Sequence, residues 1–133
     1  MFGLFGKKSQ RCAPMDLSSV VHEKDRTILE TLARFGDPLS PPRHTMYYFY
    51  RYDRDKRPAV EVFAPLAKEA VGLGLRINTQ DDEVLILECE QSMVPEMVNA
   101  ARRLMDDWAQ TYEVDFDGWQ AAACVPGRSH LGR

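Results

Sequence analysis

Leu75 to Glu90, LRINTQDDEVLILECE, is the stretch that decides the fold. Two short runs, 75–79 and 84–90, flank the polar Gln80-Asp81-Asp82, which turns the chain, so the stretch predicts a β-hairpin. Strand side chains alternate between faces. Leu85, Leu87 and Cys89 therefore share the core face, and Ile86, Glu88 and Glu90 face the other way.

Outward from the hairpin the periods change. Upstream, Phe63, Leu66, Ala67 and Ala70 recur at helical spacing and run into Gly72 and Gly74, where the helix stops. Pro65 requires this helix to kink or to begin nearer Ala64. Before it, HTMYYFYRY at His44–Tyr52 has the aromatic content of a strand, with Met46, Tyr48, Tyr50 and Tyr52 on one face and Tyr47, Phe49 and Arg51 on the other. Aromatics on both faces suit a central strand. Downstream, Pro95 opens a helix whose apolar stripe is Met97, Val98, Ala101, Leu104, Met105, Trp108 and Ala109. Tyr112, Val114 and Phe116 then alternate with Glu113, Asp115 and Asp117, predicting a last strand with one apolar and one acidic face. From Leu17 another helical pattern places Val21, Ile28, Leu32 and Phe35 on one face and ends at Gly36. Three prolines make 37–42 a loop.

The order is helix, then strand, helix, strand, strand, helix, strand. Two strand-helix-strand units joined by a hairpin make an α+β, ferredoxin-like βαββαβ fold with an additional N-terminal helix. In that topology the helices cover one face of a four-stranded antiparallel sheet and the first and third strands are central. The other face is left to solvent or to a partner.

Composition narrows the class. A chain of 133 residues with 44% hydrophobic residues supports one core, so 16–124 reads as a single domain between an N-terminal arm, 1–15, and a tail, 125–133. Phe2, Leu4 and Phe5 beside Lys7 and Lys8 offer an alternative for the arm, a small membrane- or partner-touching foot. A net charge of -3 gives no overall attraction for a phosphate backbone, and no apolar run approaches the length of a membrane span. Cys12, Cys89 and Cys124 are too few and too scattered for a disulfide framework or a zinc site, and fit thiols in a reducing cytoplasm.

Catalytic ingredients are sparse. His22, His44 and His130 fall in a helix, at a strand start and in the tail, with no nucleophile motif around Ser or Cys. Gly72-Leu73-Gly74 is a helix stop, not a nucleotide loop. We expect no catalytic residues, no metal and no cofactor.

At Tyr112–Trp119 the chain reads YEVDFDGW after a helix ending in DDWAQTY. This resembles the C-terminal signature of the regulator of ribonuclease E activity B family, an acidic strand, an aromatic residue and then Asp-Gly-Trp, matched here by Phe116, Asp117, Gly118 and Trp119. The similarity runs from roughly Asp25 through the strand around Tyr47, AKEAVGLGLRI and the hairpin to Trp119. Gln120 departs from it, standing where a glycine is common. The resemblance implies a ferredoxin-like fold and a cytoplasmic protein without catalysis of its own, which binds a ribonuclease E-type enzyme and inhibits RNA cleavage. An RNA- or protein-binding module with no ribonuclease partner is the alternative.

Candidate partner-binding residues follow from both lines of reasoning. Glu113, Asp115 and Asp117 form an acidic row that, with Glu88 and the tyrosines Tyr48 and Tyr50, suits arginine-rich segments of a protein partner; the plainer reading is a solvated face. Gly118 and Trp119 make either a recognition corner or a turn that closes the core. The aromatic strand also resembles a base-stacking sheet, but the acidic last strand disfavours direct RNA binding.

Overall fold

The computed structural model describes residues 15–125. The expected arm and tail lie almost wholly outside the described residues, as do Cys12 and His130. Three helices and four strands follow in the order α1 (Glu23–Arg34), β1 (Arg43–Tyr50), α2 (Ala59–Gly72), β2 (Arg76–Gln80), β3 (Val84–Gln91), α3 (Pro95–Tyr112) and β4 (Asp115–Ala121). The strands form one antiparallel sheet in the order β2-β3-β1-β4, so β1 and β3 are central and the ferredoxin-like arrangement is present.

The alternation in β1 sorts its side chains by face. Arg43, Thr45, Tyr47 and Phe49 are buried, whereas His44 and Tyr50 are exposed. On β3, Leu85 and Leu87 are buried beside them. Tyr47, Phe49, Leu85 and Leu87 meet Val62, Phe63, Leu66, Ala67 and Ala70 of α2 and Met105 and Trp108 of α3 in the main core. Removing each such Leu or Phe side chain from water contributes roughly 1.5–3 kcal/mol, which makes this cluster the main source of cohesion. Glu69 fastens α2 to α3 by accepting from Trp108 Nε1 at 3.0 Å and from the Tyr112 hydroxyl. A second cluster, Val20, Leu29, Leu39, Met93 and Val98, seats α1 against α3 and the end of β4, where Trp119 and Ala121 join it.

Several boundaries differ from the sequence reading. α1 begins at Glu23, not Leu17, with the His22 ring accepting from the Lys24 N–H as its cap. Val21 and Phe35 are exposed, because the buried line of this helix runs through Asp25 and Leu29. A carboxylate occupies a core-facing position there, and hydropathy alone assigns such a residue to solvent. α2 begins at Ala59 and runs through Pro65, whose ring lies on the exposed side; the carbonyl it cannot serve, on Glu61, is on the exposed side too. Met97 is exposed rather than part of the α3 stripe. β1 spans 43–50, so Arg51 and Tyr52 lie beyond it. α3 continues to Tyr112, so β4 starts only at Asp115.

The proline loop is held by a buried ion pair. Arg43 makes two hydrogen bonds of 2.8 Å to Asp37, and both side chains are almost fully buried. The Asp37 carboxylate also accepts from the backbone N–H groups of Leu39 and Cys124, each at 2.8 Å, while Arg43 donates to the Ala122 carbonyl at 3.1 Å. The pair joins the loop, the start of β1 and the chain after β4. It also holds Leu39 at φ 70°, a left-handed conformation costing about 1–3 kcal/mol for such a residue. Burial pushes the Asp37 carboxyl up, but Arg43 and the two N–H groups outweigh it and hold it below the usual range.

Asp37→Ala leaves Arg43 buried without its partner and is expected to lower stability by about 3–5 kcal/mol in urea unfolding at neutral pH. A depressed carboxyl stabilises the fold above its unfolded pKa and loses that contribution as pH falls through the folded value. The contribution of Asp37 is therefore expected to be complete at neutral pH and to fade as pH falls below the ordinary carboxylate range, with the Asp37→Ala difference shrinking in the same window.

Candidate functional site

The sheet face away from the helices is assembled by register. Met46 pairs with Glu88 on one side and Gln120 on the other, Tyr48 with Ile86, and Tyr50 with Asp115, so these side chains share one surface. Met46, Tyr48 and Ile86 are half-buried, and Tyr50 and Asp115 are exposed. The centre is thus aromatic and apolar.

Its charges are not all free. Glu88 accepts from Asn78 Nδ2 at 2.9 Å, lies 3.0 Å from His44 Nε2 and 3.5 Å from Arg76 Nε. His44 and then Asn78 hold its carboxyl below the usual range. Arg76 also reaches Glu90 at 3.0 Å. Glu88 is therefore a locally satisfied carboxylate at the edge of the tyrosine surface.

The predicted acidic row is broken at both ends. Glu113 is in the left-handed conformation, φ 56°, that closes α3, and its carbonyl accepts from Arg57 at 2.8 Å, so it lies off the strand. Asp117 is the extra residue of a β-bulge: Phe49 pairs with Phe116, and the next β1 residue back, Tyr48, pairs with Gly118. Asp117 lines a hollow of about 260 Å³ with His22, Lys24, Arg102 and Trp119. Only Asp115 of the three stands beside Tyr50.

The bulge also explains the Asp-Gly-Trp sequence. Phe116 packs on the core side, and strict alternation would send a residue three positions later to the opposite face. The extra residue reverses that parity, so Trp119 pairs with Tyr47 and faces inward. Gly118 sits at φ 124°, and no atom lies within 4 Å of where a Cβ would be; backbone conformation, not crowding, calls for glycine. Trp119 is half-buried against both core clusters and donates from Nε1 to Asp25 at 2.8 Å.

Asp25 is fully buried and accepts from Arg102 through both oxygens, at 2.7 and 3.1 Å. The Arg102 guanidinium lies 5.0 Å from the centre of the Phe116 ring, within range of a cation–π attraction. Sequence patterning missed Asp25 and Arg102 because both read as solvated positions of amphipathic helices. Among the described residues there is no group of three or more His, Cys, Asp or Glu able to hold a metal, and no helix long and apolar enough to cross a membrane.

Trp119→Phe keeps a ring in the corner but removes the donor to a buried carboxylate. It is expected to cost about 1.5–3 kcal/mol in chemical denaturation, with the native far-UV spectrum retained. A loss below about 0.5 kcal/mol would show that the Asp25 contact contributes little.

None of the curated proteins compared with the chain matches it. A family model described as regulator of ribonuclease activity B matches residues 22–121. The match begins at the cap of α1 and ends at the last residue of β4, so it takes in all seven elements and the Asp25–Arg102–Trp119 contact. The chain belongs to the regulator of ribonuclease activity B family.

Proposed function

We propose that this chain is a non-catalytic, cytoplasmic regulator that binds a ribonuclease E-type endoribonuclease directly and slows its cleavage of RNA, without a cofactor. Family membership carries the regulatory part of this reading. The open sheet face carries the rest: an aromatic and apolar centre, Met46, Tyr48, Tyr50 and Ile86, edged by Asp115 and by the Glu88 cluster. Such a surface resembles an interface with an apolar core and a polar rim.

The chemistry favours an arginine-bearing protein segment as occupant. A guanidinium can lie on a tyrosine ring and pair with a carboxylate beside it, and Tyr50 and Asp115 are register partners. Arg76, a cation that could otherwise draw phosphate to this face, is engaged by Glu88 and Glu90. Docking here would lower cleavage by occupying enzyme surface, with no bond made or broken by the regulator. Among the described residues Cys89 and Cys124 form no disulfide.

The direct test is cleavage of a labelled RNA by a purified ribonuclease E-type enzyme with increasing amounts of the protein. Inhibition is expected, and absence of both binding and inhibition at micromolar concentrations would refute the reading. Asp115→Lys plus Asp117→Lys is expected to raise the inhibition constant at least about tenfold, since like charge across an interface costs several kcal/mol. Asp115→Lys alone should account for most of that effect, because Asp117 sits across the bulge from the tyrosine surface. Inhibition unchanged in the double variant, with its circular dichroism intact, would remove the acidic contribution from the proposal.

A further inference from the structure

The segment RYDRDKR, Arg51–Arg57, carries four cations and two of the nearby carboxylates, and the docking face makes no use of it. Three of its residues build it into a rigid platform. Arg51 donates to the carbonyls of Asp82 and Asp55, each at 3.2 Å, and to that of Arg57. Arg57 grips the Asp55 carboxylate through Nε and its terminal nitrogen, and donates to the Tyr112 and Glu113 carbonyls at 2.9 and 2.8 Å. Those two carbonyls end α3, where a cation is favoured by the helix dipole. Hydrogen bonds from the Arg57 side chain and backbone hold the Asp55 carboxyl at about 2, so it stays ionised and bound to Arg57.

Three other residues of the loop are left outward. Tyr52 is 48% exposed, and Arg54 and Lys56 are exposed and form no ion pair among the described residues. They line one shallow hollow of about 490 Å³ together with Gln110 and Glu113. Asp53 and Glu113 are the opposing carboxylates nearest the three, Asp55 is neutralised by Arg57, and Asp82, Glu83 and Glu61 adjoin the Arg51 and Arg57 side of the loop. Within 51–57 four cations stand against two carboxylates, on a chain whose net charge is -3.

We propose that the 51–57 loop is a contact site for single-stranded RNA, with Tyr52 stacking on a base and Arg54 and Lys56 meeting neighbouring phosphates. Two unpaired cations beside an exposed aromatic ring are the elements of a sequence-tolerant single-strand site. The ring decides between anionic partners. An acidic peptide would use the cations alone, whereas a nucleotide uses the cations and the flat face. Because the backbone platform is already fixed by Arg51, Asp55 and Arg57, only the side chains of Tyr52, Arg54 and Lys56 remain to be ordered on binding. The overall charge argues against general attraction for RNA, and this site does not need it.

The test is fluorescence anisotropy of a labelled single-stranded oligoribonucleotide with the full chain and no ribonuclease, so its outcome is separate from that of the docking reading. Saturable weak binding is expected, and the slope of log affinity against log salt should lie near -1.4, about -0.7 for each of two phosphates. Arg54→Ala plus Lys56→Ala should lower affinity at least tenfold and flatten that slope. Tyr52→Ala should lower affinity roughly tenfold with the slope retained, as expected when a base loses its stacking partner. Circular dichroism should be unchanged in both variants. No binding by the unaltered chain, equal binding by the variants, or equal affinity for an oligoglutamate peptide of the same charge would each overturn the assignment.

Discussion

The buried carboxylate of Asp25 holds together parts of the fold that the sheet alone does not. It belongs to α1, which stands outside the two strand-helix-strand units, and it is gripped by Arg102 of α3 and by Trp119 of β4. Burying an ion is costly unless it is paired and hydrogen-bonded, and here three N–H donors, two of them from a guanidinium, meet the carboxylate. That requirement reaches into the sheet. Trp119 can donate to Asp25 only if it faces the helices, and it does so only because Asp117 is an extra residue and Gly118 takes a positive φ. The Asp-Gly-Trp sequence is thus a parity switch in an edge strand. The second buried pair, Asp37 with Arg43, fixes the entry to β1 by the same logic and reaches the chain beyond β4 through Cys124.

The sheet was legible in the sequence because its signals are local. Leu85 and Leu87 against Ile86 and Glu88, or Tyr47 and Phe49 against Tyr48 and Tyr50, need only a period of two, and the structure sorts them that way. The buried charges were not legible. Asp25, Asp37 and Arg43 have the composition of a surface, and what buries them is a partner elsewhere: Asp25 and Trp119 are 94 residues apart in the chain. Nor could alternation expose its own interruption. Continued without a bulge, the period of two lines up Glu113, Asp115 and Asp117, and the structure separates them into a helix cap, a strand position and a bulge.

The same geometry divides charged residues by what they have left to offer. Asp25 and Asp37 accept three hydrogen bonds or more each and lie out of reach of solvent, so their role is architectural. Glu88 is intermediate: it is on the open face, but His44, Asn78 and Arg76 already surround it, and a partner would have to displace them to use its charge. Asp115 beside Tyr50, and Arg54 and Lys56 beside Tyr52, carry no such commitments among the described residues. Free charge beside an exposed ring occurs at both places, with opposite sign.

That opposition bears on how a regulator of a ribonuclease could work. An acidic tyrosine surface and a cationic tyrosine loop cannot serve the same ligand, because each repels what the other attracts. The two lie at the ends of connected segments: Tyr50 closes β1 and Tyr52 opens the loop that follows, with Asp115 and Glu113 starting and preceding β4 alongside. A basic segment of an enzyme on the sheet and a strand of its RNA on the loop would therefore be held as neighbours. If both proposed contacts form at once, the second is made at the effective concentration set by the first, so the two would contribute together although each alone is weak.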